Sequence, residues 1–191
     1  MNAMALLIWV SAFSSFGWGV LRFFRRTSGV SWHTALVAVL GLVFGVWHLL
    51  AIASSNVRPP RSAVAIVLLS VSTLLFWWAV QACESRHLTA IFEDDLPCHL
   101  VRRGPYRHIR HPFYASYTMF WFAGWIASAS VVSLISSAVM LRIYLEAVRT
   151  EERKFAASNL SGDYAEYRQR VGMMAPKLDV VVKRLFRRPT R

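Results

Sequence analysis

Three stretches of this chain carry no charged side chain over the length of a membrane-spanning helix. They run from Met1 to Leu21, from Thr34 up to Arg58, and from Ser62 to Cys83. A spanning helix needs about 20 mostly apolar residues, and one Arg or Asp at the bilayer centre costs roughly 2.5–3.5 kcal/mol on insertion scales. Residues 1–83 are therefore predicted to form three transmembrane helices.

A fourth uncharged stretch, Pro112 to Leu141, has 30 residues. As one helix it would be about 45 Å long, well beyond the roughly 30 Å hydrocarbon core. The alternative is a tight helical hairpin over 112–148, which turns at Ala127-Ser128-Ala129-Ser130. Its second arm would run past Arg142, whose guanidinium can reach the headgroups. The sequence favours the hairpin.

The distribution of basic residues independently favours five spans. Of the 22 Lys and Arg residues, 19 then lie on one side of the membrane: 3 in the first connection, 5 in the third and 11 from Arg149 onward. Lys and Arg concentrate in cytoplasmic loops, so the N-terminus is predicted outside and the C-terminus in the cytoplasm. Four spans would put the third connection and the basic tail on opposite sides.

The predicted fold is thus an all-α integral membrane protein, one membrane domain over 1–191, in the inner or cytoplasmic membrane. It has about five transmembrane helices and a cytoplasmic C-terminal helical region. The tail from Val180 to Arg188 is predicted to be a short amphipathic helix on the membrane surface. The net charge of +12 is explained by this topology and by attraction to anionic lipids. A nucleic-acid partner is accordingly not expected.

The polar segments lack the motifs of soluble nucleotide-binding enzymes. There is no G-x-G-x-x-G, the phosphate-binding turn of dinucleotide-binding folds, and no P-loop, the corresponding turn of nucleotide triphosphatases. The histidines between residues 84 and 111 do not have the spacing of a tetrahedral metal site. No metal site is therefore predicted.

The first informative motif runs from Leu100 to Tyr114. Gly104-Pro105 predicts a turn, and Pro112 suits the first turn of a helix. This places Arg110, His111 and Tyr114 where the chain enters the membrane. A helix start attracts anionic groups, while Tyr106 and Tyr114 can hold a cation against an aromatic face. The alternative is an interfacial anchor without catalytic function.

The second motif lies near the end of the predicted hairpin and contains two adjacent carboxylates, Glu151 and Glu152. Carboxylates are unfavourable at the negative end of a helix dipole, so they require a cationic partner. Arg149, Arg153 and a bound cation are all candidates. A surface ion-pair network on the same helix, with Glu146 bound by Arg142 or Arg149, is the alternative interpretation.

Together these motifs resemble the isoprenylcysteine carboxyl methyltransferase family and its relatives, the membrane phospholipid N-methyltransferases. The resemblance runs from about Leu100 to Pro176. It rests on an ordered set: Gly-Pro-Tyr, Arg-His-Pro-x-Tyr, a helical hairpin, Glu-Glu, Gly-Asp-Tyr-x-x-Tyr and a final Pro. Residues 1–83 share only their hydrophobicity with that family.

The resemblance implies that S-adenosylmethionine binds in a cytoplasmic pocket built by residues 84–191. The residues that it places at the cofactor are Leu100, Val101, Tyr106, Arg110, His111, Pro112, Tyr114, Glu151 and Glu152. It assigns catalysis to Arg149 and Glu152, with Arg149 holding the acceptor and Arg142 as a second choice for that role. Which of Glu151 and Glu152 contacts the cofactor is left open.

The implied acceptor is a lipid-like or small hydrophobic molecule that enters from the bilayer. A carboxylate is favoured, with a phospholipid amine or a thiol as alternatives. A membrane sterol-type reductase that uses NADPH is a further alternative, although adjacent carboxylates would repel the phosphates of NADPH. A non-catalytic membrane protein with the same fold is the last.

Overall fold

The computed structural model describes residues 2–25, 32–56, 58–83, 88–89, 96–97 and 99–177. Within them the chain is helical, as predicted. The helices are α1 (Asn2–Phe23), α2 (Trp32–Ala53), α3 (Pro59–Cys83), α4 (Pro112–Ser128), α5 (Val131–Ala156) and α6 (Ser161–Arg170), with a 3₁₀ turn at Gly104–Arg107. Two short strands, β1 (Phe24–Arg25) and β2 (Leu88–Thr89), pair in parallel. The predicted tail helix from Val180 to Arg188 lies outside the described residues.

Within the described ranges, four helices are long and apolar enough to cross a membrane. They are α1, α2, α3 and α5. With 17 residues, α4 is about 26 Å long at 1.5 Å per residue, somewhat less than the hydrocarbon core. These helices support an integral membrane protein, and the count of five spans stays a prediction.

The chain reverses between α4 and α5 inside the small polar run in which the sequence placed a turn. Ala129 adopts a left-handed backbone conformation (φ 57°), and Ser130 caps the start of α5 by accepting a hydrogen bond from the Ser133 amide. The two helices then pack along each other. The Ser137 hydroxyl donates to the Trp121 carbonyl oxygen at 2.9 Å, and Trp121 Nε1 donates to the Tyr144 hydroxyl at 2.9 Å.

Polar side chains from the α2–α3 connection and from the first turn of α3 satisfy the end of α4. Arg61 Nε donates to the Ile126 carbonyl oxygen at 2.8 Å, and the Ser55 hydroxyl donates to that of Ala127 at 3.2 Å. The last carbonyls of a helix have no partner within the helix and carry its negative dipole end, so an arginine there is favourable. Helix α3 therefore begins at Pro59, before Arg61, and not at Ser62 as the uncharged stretch indicated.

The core is aromatic and centres on α3 and α4. Large buried side chains from α1, α3 and α4 form it, chiefly Trp9, Phe16, Phe76, Phe120 and Trp121. Helix α4 approaches α1 and α2 closely at Gly124, where a Cβ atom would lie 2.3 Å from His48 Nδ1 and 2.9 Å from Trp9 Nε1. Only glycine fits at this crossing. Antiparallel packing then brings the start of α4 and the end of α5 to the same end of the bundle.

Candidate active site at the start of helix α4

His111 lies between the two adjacent glutamates. Its Nδ1 atom is 3.3 Å from Glu151 Oε2, and its Nε2 atom is 3.3 Å from Glu152 Oε1. Each carboxylate can only accept a hydrogen bond, so this arrangement favours the doubly protonated ring. Burial alone would lower the pKa of His111, but the hydrogen bonds and charges of Glu151 and Glu152 raise it above its usual value.

Arg110 binds Glu152 with two hydrogen bonds in a nearly closed environment. Arg110 Nε and Nη2 donate to Glu152 Oε1 at 3.0 and 2.7 Å. The two side chains are only 6% and 13% exposed. On the other side of the carboxylate, Arg168 Nε lies 3.5 Å from Glu152 Oε2. Glu152 is thus surrounded by three cationic groups.

Arg110 also fastens the segment that follows α6. Its Nη1 atom donates to the Val171 carbonyl oxygen, and its main-chain amide donates to the Gly172 carbonyl oxygen at 2.8 Å. The His111 amide donates to the Met173 carbonyl oxygen at 3.0 Å. Gly172 is required there, because a Cβ atom would lie 1.8 Å from the Ala175 carbonyl oxygen. One side chain therefore joins the start of α4, the end of α5 and residues 171–173.

Two tyrosines lie near Glu151. The Tyr114 hydroxyl donates to Glu151 Oε1 at 2.6 Å. Tyr106 is half-buried, and its hydroxyl accepts from Cys83 Sγ at 3.4 Å. Burial is the largest cause that raises the pKa of Tyr106 well above its usual value, and the charge of Glu151 contributes to the same shift. Tyr106 therefore remains a neutral phenol.

The Gly-Asp-Tyr-x-x-Tyr motif of α6 supports this cluster from the side. Tyr164 stacks on Phe155 with ring centroids 4.5 Å apart and an interplanar angle of 8°. The Tyr167 hydroxyl donates to the Tyr106 carbonyl oxygen at 2.6 Å. Arg102 pairs with Asp163 at 3.0 Å. These contacts fix α6 against residues 102–106.

The remaining predicted residues occupy four different places. Leu100 packs against the tyrosines of α6, and Val101 packs against the main core. Pro112 is buried as the first residue of α4. The Arg149 side chain is 62% exposed and pairs with Glu146 at 2.9 Å, and Arg142 pairs with the same carboxylate. The structure brings Arg149 to Glu146, so its role in acceptor binding stays a prediction.

The partners of the glutamate pair differ from those suggested by the sequence. Arg149, Arg153 and a bound cation were the candidates, and the partners in the structure are Arg110, His111 and Arg168. They come from the segment before α4 and from α6. Local spacing shows only neighbours along one helix, so it could not indicate them. Arg168 directly follows the last tyrosine of the Gly-Asp-Tyr-x-x-Tyr motif.

An open groove of about 520 Å³ lies next to Arg110. Arg110, Arg168 and the chain from Gly172 to Lys177 line it. Its side chains are cationic or apolar, including Met173 and Met174. Among the described residues, no group of three His, Cys, Asp or Glu side chains is placed to hold a metal ion.

Part of the chain, including most of this cluster of charged and aromatic side chains, matches a known protein family. Residues 91–161 match the family model of the phospholipid methyltransferases. The match confirms the resemblance to membrane phospholipid methyltransferases over this part of the chain. It contains Tyr106, Arg110, His111, Tyr114 and both glutamates, and it ends before the α6 motif. A search of curated proteins found no match to the chain.

Proposed function

We propose that this protein is an integral membrane methyltransferase that uses S-adenosylmethionine and acts on a lipid-like acceptor. The catalytic portion is residues 84–191, and the site faces the cytoplasm. The main support for this proposal is the glutamate pair, which contacts Arg110, His111 and Tyr114 within the segment that matches a methyltransferase family.

The residues of the site fit the chemistry of this cofactor. S-adenosylmethionine has a sulfonium and an ammonium, which suit a carboxylate and aromatic faces. Glu151 supplies the carboxylate, and Tyr106 and Tyr114 supply the aromatic rings. When bound, the cofactor supplies an electrophilic methyl group. Phosphates, as in NADPH, would be repelled by Glu151, so this pair favours the sulfonium donor.

The chain's contribution to methyl transfer is to position the reactants and to exclude water. In-line attack on a methyl group gains mainly from orientation and desolvation. The aromatic packing around Tyr114, which is buried against Tyr144 with ring centroids 5.8 Å apart, closes the membrane side of Glu151. An acceptor held by its lipid portion in the bilayer would approach the cofactor at the headgroup level.

Two acceptor groups have support. The family match favours an amine headgroup, which must lose a proton before it attacks. The exposed ion pairs of Arg142 and Arg149 with Glu146 leave a net positive charge, which favours a carboxylate acceptor. A carboxylate needs no base to attack the methyl group. Label transferred to a carboxylate is released as methanol by mild alkali, whereas label on an amine is retained.

The function is tested by incubating the purified full-length protein with methyl-labelled S-adenosylmethionine and membrane lipid extract. We expect label in the organic phase, and whether mild alkali releases it as volatile methanol identifies the acceptor group. A parallel thermal-shift experiment compares S-adenosylmethionine with NADPH. Absence of labelled lipid together with stabilisation by NADPH alone would refute the proposal in favour of a reductase.

A further inference from the structure

We propose that the two adjacent glutamates have different roles: Glu151 contacts the cationic group of the ligand, and Glu152 positions the segments around it. The sequence does not distinguish the two residues. In the structure their side chains differ in exposed fraction, in hydrogen-bond partners and in the charge around them. This division rests on the proposed function, because it takes the ligand to be S-adenosylmethionine.

The surroundings of Glu152 disfavour a cationic ligand. Oε1 already accepts from two nitrogens of Arg110 and faces His111, while Oε2 faces Arg168. A carboxylate offers about four lone-pair positions, so a further donor must displace one of these groups. Two arginines around one carboxylate also leave a local positive charge. A sulfonium or ammonium would be repelled there.

The surroundings of Glu151 favour a cationic ligand. Its side chain is 31% exposed, more than twice the value for Glu152. Its partners are the neutral hydroxyl of Tyr114 and one nitrogen of His111. Tyr106 and Tyr114 add aromatic faces, which attract cations. An arriving cation can replace the His111 contact at Oε2, and His111 keeps its second carboxylate, Glu152.

Glu152 acts on the site through Arg110. The ion pair orients the guanidinium so that Nη1 reaches the Val171 carbonyl oxygen, and the adjacent amides hold Gly172 and Met173. Glu152 also faces His111 Nε2 and so determines where the imidazole lies relative to Glu151. It is therefore a positioning residue in this proposal.

The same geometry predicts that proton release accompanies ligand binding. A cation at Glu151 competes with the proton on His111, so binding should strengthen as the pH rises. The titratable or charged groups around His111 are Glu151 and Glu152 from α5, Tyr114 from α4, Arg110 from the preceding residue, and Arg168 from α6 beside Glu152.

The test is calorimetric titration of purified full-length variants with S-adenosylmethionine between pH 6 and 8.5. Glu151→Gln should raise Kd at least tenfold at every pH. Glu152→Gln should change the Kd measured at the most favourable pH less than threefold. It should also lower the pH at which binding is half-maximal, because His111 then keeps only one carboxylate neighbour and loses its proton more easily. A purely structural defect would not move this midpoint.

Two further variants provide controls. Glu166→Gln removes an exposed glutamate paired with Arg170 and should bind like the unaltered protein. The double variant Arg110→Gln, Glu152→Gln removes both charges of the buried pair, so no uncompensated charge remains, and it should weaken binding less than Glu151→Gln does. This variant keeps the test valid if Glu152→Gln alone does not fold.

The division is overturned if Glu151→Gln binds as tightly as the Glu166→Gln control. It is also overturned if the double variant loses affinity as strongly as Glu151→Gln. If the unaltered protein does not bind S-adenosylmethionine at all, the proposed function fails and the division fails with it. The first two results leave the proposed function standing, so the two failures are distinguishable.

Discussion

Replacing Arg110 by Gln should be the most destabilising single change at the site. The substitution removes both hydrogen bonds to Glu152 Oε1 and the bond to the Val171 carbonyl oxygen, and it leaves a carboxylate that is 13% exposed. Removing one partner of a buried ion pair costs about 3–5 kcal/mol. His111 and Arg168 still face Glu152, which favours the lower end, about 3 kcal/mol.

For a chain of this length, 1 kcal/mol corresponds to a change in Tm of about 2–4 °C. We therefore expect Tm of Arg110→Gln in detergent to fall by about 6–12 °C. The matched control is Arg102→Gln, which breaks an ion pair with Asp163 whose side chains are 46% and 61% exposed. Exposed pairs contribute about 0–1 kcal/mol. Equal losses of Tm in the two variants would refute the reasoning about burial.

Two other predictions concern stability. His111→Gln should lose stability relative to the unaltered protein mainly at low pH: the folded-state pKa of His111 is raised from 6.5, so its contribution is complete below about pH 6.5 and disappears as the pH rises through the folded-state pKa. Thermal unfolding of both proteins from pH 5.5 to 9 measures this, and a constant difference would contradict it. Gly124→Ala should cost about 1–3 kcal/mol through overpacking against His48, whereas Gly41→Ala, which has no atom within 4 Å of the new Cβ, should not destabilise. Similar Tm values for the two alanine variants would show that the α4 crossing is not tight.

The membrane helices were largely predictable because a single physical requirement determines them. An uncharged run of about 20 residues has few alternatives to a spanning helix, and the runs over 1–83 became α1, α2 and α3. The position of the break between α4 and α5 was also predictable, since Ala129 and Ser130 lie within a run of small and polar residues. The start of α3 was harder to predict, because Arg61 lies in its first turn and donates to the Ile126 carbonyl oxygen of α4, which is distant in sequence.

The pairing within the site was not predictable from local pattern. The sequence indicated that Glu151 and Glu152 needed a cation, but it suggested arginines on the same helix. The observed partners are 41 and 42 residues earlier in the chain, His111 and Arg110. Which long-range charges meet depends on how α4 and α5 pack. The resemblance to methyltransferases grouped these residues at a cofactor, and that assignment stays a prediction.

Photocrosslinking of radiolabelled S-adenosylmethionine to the full-length protein tests the central claim most directly. After irradiation and digestion, we expect label in peptides that cover residues 100–114 or 149–177, and excess unlabelled cofactor should abolish it. Saturable label confined to α1 and α2, or the absence of saturable label, would contradict the assignment of the cofactor site to Glu151 and its neighbours.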